Sequence, residues 1–85
     1  MANMNVFVLT ISDVCDFERF SHTPQVFSKV EDAQSEMNSL VKQFEENNNL
    51  DGWVVEKDAM SYLTYEDGRM AENHYEVSIH CLEVK

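Results

Sequence analysis

The stretch Tyr65-Glu66-Asp67-Gly68-Arg69-Met70-Ala71-Glu72-Asn73-His74-Tyr75-Glu76-Val77-Ser78-Ile79-His80-Cys81 decides the fold. Its second half alternates. Tyr75, Val77, Ile79 and Cys81 fall on one side of an extended chain, and His74, Glu76, Ser78 and His80 on the other. That period of two marks a half-buried strand. Asp67-Gly68 is a two-residue hairpin turn signal, flanked by Glu66 and Arg69, which can pair across it. Folding about this turn sets Tyr65 against Met70, Tyr62 against Asn73 and Met60 against Tyr75. Continued without interruption, the register buries Asp58 and Glu56 opposite Val77 and Ile79. A bulge or strand break is therefore expected near Lys57-Asp58-Ala59, returning Trp53 and Val55 to the core side.

Upstream of this hairpin lies a helix. Ser28-Lys29-Val30-Glu31 matches a capping box, with Ser28 as N-cap and Glu31 reaching back to it. Val30, Ala33, Met37, Leu40, Val41 and Phe44 then recur at three- and four-residue spacings and form one apolar stripe. Asn47-Asn48-Asn49 is expected to stop the helix through a left-handed cap, and Asp51-Gly52 to turn the chain.

At the start, Val6 to Ile11 is apolar apart from Thr10, with Val6 and Val8 facing one way and Phe7, Leu9 and Ile11 the other. A strand apolar on both faces is usually central or covered. Between Phe17 and Phe27 a short return strand is expected, at an edge or interrupted at Pro24. The fold class implied is α+β: a single helix packed on an antiparallel sheet of three to four strands, in the order β-(β)-α-β-β, with residues 1–85 as one domain.

Composition narrows function by exclusion. Sixteen acidic against six basic residues give a formal net charge of -10, which disfavours direct binding to nucleic acid or an anionic membrane. The opening lacks a basic segment followed by a long apolar run, so neither a secretory signal nor a membrane span is expected, and the cytoplasm is the expected location. Cys15 and Cys81, the only cysteines, read as free thiols. Cys81 should be a small core residue.

Catalytic and cofactor chemistry lack a motif. His74 and His80 share a strand face but lie six residues apart, roughly 20 Å at about 3.3 Å per residue, so they cannot grip one metal ion. Cys15 has Asp16 as neighbour and no adjacent cation to activate its thiol. Both glycines sit in turns, so no phosphate-cradling loop exists. No cofactor, metal site or catalytic residue is expected, and the protein reads as a non-enzyme.

What remains is surface charge. Residues 47–76 carry seven carboxylates against two cations. Glu56, Asp58, Glu66, Asp67, Glu72 and Glu76, with Tyr65 as an aromatic contact, form the expected partner-binding surface. Its complement is a basic protein, nucleic-acid-handling proteins being one class that fits. The alternative is a homodimeric accessory protein that associates through the free sheet face, its acidity serving solubility only.

Several features together resemble the small uncharacterised acidic proteins of gut bacteria, phages and mobile elements. They are Val6-Phe7-Val8-Leu9-Thr10, Val26-Phe27-Ser28 before the Ala33 helix, Trp53, Tyr65-Glu66-Asp67-Gly68 and Asn73-His74-Tyr75-Glu76-Val77-Ser78-Ile79. By size and charge the resemblance extends to nuclease inhibitors such as anti-CRISPR proteins. It implies inhibition by mimicry of nucleic acid and carries over no functional residue.

Overall fold

The structure, a computed structural model, describes residues 4–84. Six strands and one helix follow in the order β1 (Met4–Cys15), β2 (Glu18–Phe20), β3 (Gln25–Phe27), α1 (Val30–Asn47), β4 (Trp53–Lys57), β5 (Ser61–Glu66) and β6 (His74–Val84). They build one antiparallel sheet ordered β2-β1-β6-β5-β4, with β3 also paired to β1. The expectation of three to four strands is thus corrected to six, and strand residues make up 49% of the described residues against 22% for helix.

The longest ladder joins the chain's two ends. β1 pairs with β6 from Met4 opposite Val84 to Val14 opposite His74. Opposed residues in an antiparallel pair share a face, so Leu9 and Ile79, Ile11 and Val77, and Phe7 and Cys81 all point one way. The helix lies over that face. Leu9, Ala33, Met37, Tyr62, Tyr75, Val77 and Ile79 form the buried core, with Phe7, Ile11, Phe27, Leu40, Val41, Phe44 and Met60 half-buried around it. Cys81 is exposed rather than buried, because it sits where β6 runs out beyond the helix. Thr64, the one buried polar residue among the described residues, donates to the Val54 carbonyl at 2.9 Å.

The two hairpin expectations resolve differently from the sequence reading. β4 and β5 pair with each other, and the break expected at residues 57–59 is a complete chain reversal. Asp58 accepts from the Met60 amide at 2.8 Å and the Ser61 hydroxyl at 3.1 Å, which closes the turn and holds its carboxyl below the usual pKa. Between β5 and β6, Gly68 turns the chain at φ 77. The chain then coils through residues 69–73, so Tyr65 faces His74 rather than Met70 and Tyr62 faces Val77 rather than Asn73. The slide is an even number of residues, so each side chain keeps its expected face. Met60 bonds Ile79 through its carbonyl, instead of facing Tyr75.

The helix ends also differ. Lys29, not Ser28, is the N-cap, and no side chain caps it. At the other end Asn48 is extended rather than left-handed. Its side-chain amide donates to the Phe44 carbonyl at 2.9 Å, and Asn49 Oδ1 accepts the Asp51 amide at 3.0 Å. Asn48 and Asn49, following the last helical residue Asn47, stop the helix with side-chain hydrogen bonds, which compete with the helical backbone pattern. Gly52, at φ 81, makes the expected turn.

The return strand expected in residues 17–27 is two three-residue strands, β2 and β3, parted by a segment that contains Pro24. The β1–β2 turn places both Asp16 (φ 51) and Phe17 (φ 66) in the left-handed region, as a type I′ hairpin turn requires. Phe17 is 73% exposed there. A non-glycine residue in this region costs roughly 1–2 kcal/mol. Phe17→Gly should therefore raise the unfolding free energy in urea by about 1 kcal/mol, and a loss of stability would show that the ring is held by packing.

Candidate acidic interface

Antiparallel pairing brings four chain segments to one end of the molecule. The Glu66 amide donates to the Asn73 carbonyl, the Asp67 amide to the Gly52 carbonyl and the Phe17 amide to the Glu72 carbonyl. The Asp16 amide donates to Asn73 Oδ1 at 2.9 Å. The helix C-terminus reaches the same end, where Phe44 stacks on Tyr75 with ring centroids 4.2 Å apart and inclined 5°. Asp13, Asp16, Glu18, Glu45, Glu46, Asp51, Glu66, Asp67 and Glu72 are thereby gathered at one pole, nine of the sixteen carboxylates in the chain. Arg19, Lys42 and Arg69 are the cations there. Lys42 lies 3.9 Å from Glu46 and Arg69 3.6 Å from Glu66.

The helix contributes to this field with the same sign. Its last turn has no basic residue and ends in Glu45 and Glu46, where the macrodipole already presents about half a negative charge. Glu45 is held by the buried Tyr62 hydroxyl, which donates to Oε2 at 3.2 Å. Burial first, then the Glu45 charge, push the Tyr62 pKa up to about 12. Burial and Asp13 raise that of Tyr75.

The structure divides the expected partner-binding set. Glu66, Asp67 and Glu72 lie at the acidic pole. Asp58 stands at the far end of β5 and serves its turn. Glu56 and Glu76, with Tyr65, lie on the sheet face away from the helix, Glu56 opposite Leu63 and Glu76 opposite Leu63 and Ser12. Glu45, Glu46 and Asp51, which continue the acidic stretch of the sequence back to the helix end, join Glu66, Asp67 and Glu72 at the pole; Asp13, Asp16 and Glu18 were missed because only the three-dimensional meeting of loops unites them with the rest.

A half-open cavity of about 310 Å³ sits in this pole, lined by Asp13, Val14, Cys15, Phe20, Phe44, Asn48, Trp53 and His74. A shallower one of about 240 Å³ adjoins it, sharing Phe44 and Asn48 and reaching His22 and Tyr75. His22 Nε2 lies 3.0 Å from Asp13 Oδ2. Phe44 and Trp53 read in sequence as core residues; both are only half-buried.

The uncovered sheet face carries His74 and His80. His74 Nδ1 donates to the Met70 carbonyl at 2.8 Å, leaving Nε2 to accept from the Ser12 hydroxyl at 2.9 Å. Arg19 Nη1 donates to Ser12 Oγ at 3.3 Å. The sequence nucleophile, base, orienting carbonyl is that of an activated serine. Ser12 lines neither cavity, however, and it sits mid-strand with no turn of free amides beside it to receive an oxyanion. The trio ties β2, β1 and β6 together. His80 pairs with Thr10 at 3.2 Å. Among the described residues no group of three or more His, Cys, Asp or Glu could hold a metal ion, and no helix is long and apolar enough to cross a membrane.

No family model, no curated protein sequence and no solved structure matches the chain.

The Tyr62–Glu45 bond fastens the acidic helix end to β5. Tyr62→Phe should cost about 1 kcal/mol in urea unfolding. Because the folded-state pKa is raised, this stability is present below pH 10 and lost as pH climbs towards about 12. Wild type should therefore weaken relative to Tyr62→Phe across that window, and parallel curves would refute the bond's role.

Proposed function

We propose that this chain is a non-enzymatic binding module whose acidic pole docks on a basic protein. The observation that carries the reading is the coincidence of nine carboxylates with a helix C-terminus whose last turn holds no basic residue. Exposed carboxylates on a rigid, hydrogen-bonded pole present oxygens to a partner much as phosphates do. A basic nucleic-acid-handling protein, whose own ligand is polyanionic, is the partner class that suits such a surface. Its phosphate-binding side chains would be occupied and nucleic acid excluded, the mode of action of the small acidic inhibitors that the sequence resembles. Two free, exposed thiols suit a reducing cytoplasm.

Contacts of this kind steer association and are screened within about 10 Å at 0.1 M salt. With the chain as bait, the captured proteins should be basic, and raised salt or added duplex DNA should release them. Reversal of three exposed carboxylates, Glu46→Lys, Asp51→Lys and Asp67→Lys, should weaken binding about tenfold or more. A lysine at position 46 suits the helix dipole, which offsets the loss of the exposed Lys42 pair, so unfolding would not explain the loss. Capture that withstands high salt, or that ignores the reversal, rejects the proposal.

A second reading has its own observation. On the face away from the helix, Met4, Val6, Val8, Val26, Leu82 and Val84 lie together through the β1–β6 and β1–β3 registers. Val26 is 65% and Leu82 52% exposed. A second copy of the chain, apolar at the same place, would cover this patch with two-fold symmetry. Light scattering after size exclusion should then give twice the mass, and Val26→Glu with Leu82→Glu should return it to 9.9 kDa. A wild-type monomer at all concentrations tested removes this reading.

A further inference from the structure

We infer that the cavity in the acidic pole is a receptor for an alkylammonium group, the quaternary head of a small organic cation or the methylated lysine of a partner. The inference rests on the preceding reading for its sign of charge alone. Three rings wall the cavity: Phe20 from β2, Phe44 from the helix and Trp53 from the start of β4. Phe44 and Trp53 stand 6.4 Å apart at 57°, two walls of a corner. Phe44 is held in place from behind by its stack on Tyr75. Ring faces attract cations through their quadrupole, Trp most strongly, and such cages are a known way of recognising quaternary ammonium.

The polar groups select among cations. Asp13 stands in the wall, its Oδ2 already engaged by His22 Nε2 at 3.0 Å. One free oxygen cannot grip a guanidinium in the two-pronged way that arginine prefers. An unmodified lysine ammonium is compact, strongly hydrated and a donor of three hydrogen bonds, and three rings with one carboxylate oxygen replace few of those bonds. An alkylated ammonium sheds its water easily and needs only ring faces and negative charge. The helix C-terminus and the surrounding carboxylates supply that charge without direct contact. A volume of about 310 Å³ is at the small end for ligand sites, the scale of a head group.

Trp53 is the only tryptophan in the chain, so its fluorescence reports occupancy. Titration with choline should change the emission saturably. The uncharged carbon analogue 3,3-dimethylbutanol should bind about tenfold more weakly or not at all. Phe20→Ala, at an exposed edge, should weaken choline roughly three- to tenfold. Asp13→Asn should do likewise, with saturation-transfer NMR on the N-methyl protons as a second readout. A peptide bearing trimethyllysine, set against the same peptide with lysine, separates the two sources of the group. Preference for the modified peptide assigns a partner's side chain, and binding of choline alone assigns a free cation. Equal binding of choline and its carbon analogue, or saturation by neither choline nor peptide, overturns the inference. If salt-sensitive capture of basic proteins persists while choline and peptide both fail, the cavity is refuted and the acidic docking surface stands. The reverse result separates them the other way.

Discussion

Everything in this fold hangs on the pairing of its first strand with its last. β1 and β6 lie side by side at the centre of the sheet, and each other strand attaches to one of them directly or through β5. The helix adds only Ala33 and Met37 to the fully buried set. Its grip on the sheet therefore depends on the half-buried stripe of Leu40, Val41 and Phe44 and on two particular contacts near its end, Phe44 on Tyr75 and Tyr62 with Glu45. Bringing the two chain ends together costs loop-closure entropy, but that cost grows only logarithmically with length. The long apolar register from Val6 to Ile11 against β6 offsets it. Because Asp13 faces Tyr75 and Val14 faces His74 at one extremity, the same ladder determines which loops meet there, and so determines the acidic pole.

The parts of this architecture legible in the sequence are those set by local period. β6 alternates as Tyr75, Val77 and Ile79 alternate, the helix stripe is continuous from Val30 to Phe44, and both glycines turn the chain. What could not be read is registration between distant segments. Asp67-Gly68 does turn, but the chain coils on to Asn73 before pairing, because the Arg69 carbonyl accepts both the Glu72 and Asn73 amides. The short strands β2 and β3 carry no period at three residues each, and only β1's length reveals room for both along one edge. Ser28 has the right residue type for a cap, yet the first turn closes on the Lys29 carbonyl.

The candidate site was legible as a composition and not as a place. A surplus of carboxylates between residues 47 and 76 is visible in one dimension, but Asp58 in that stretch is spent on a turn and Glu56 and Glu76 face elsewhere. Meanwhile Asp13, Asp16 and Glu18, remote in sequence, are brought in by the β1–β2 turn. The aromatic cavity followed the same rule. Phe44 and Trp53 are ordinary apolar residues in their own elements, and only the helix end crossing the sheet end leaves their ring faces partly open.

The charge at that end is placed against the fold's own interest. Glu45 and Glu46 sit where the helix dipole favours cations, each at a cost of roughly 0.3–1 kcal/mol when exposed. Phe17 adds a strained turn at the same end, where its amide bonds the Glu72 carbonyl. For a domain of this size, with a thin core and little stability to spare, two carboxylates where a lysine would help are a measurable loss. Solubility does not require it, since a net charge of this size could be carried on the helix's outer face or on the sheet edge at no such cost. Local rules tend to be broken where a surface serves something other than folding. That the breaches gather at the end of the molecule that holds the aromatic cavity, rather than lying scattered over it, is what favours reading the acidic pole as a binding surface.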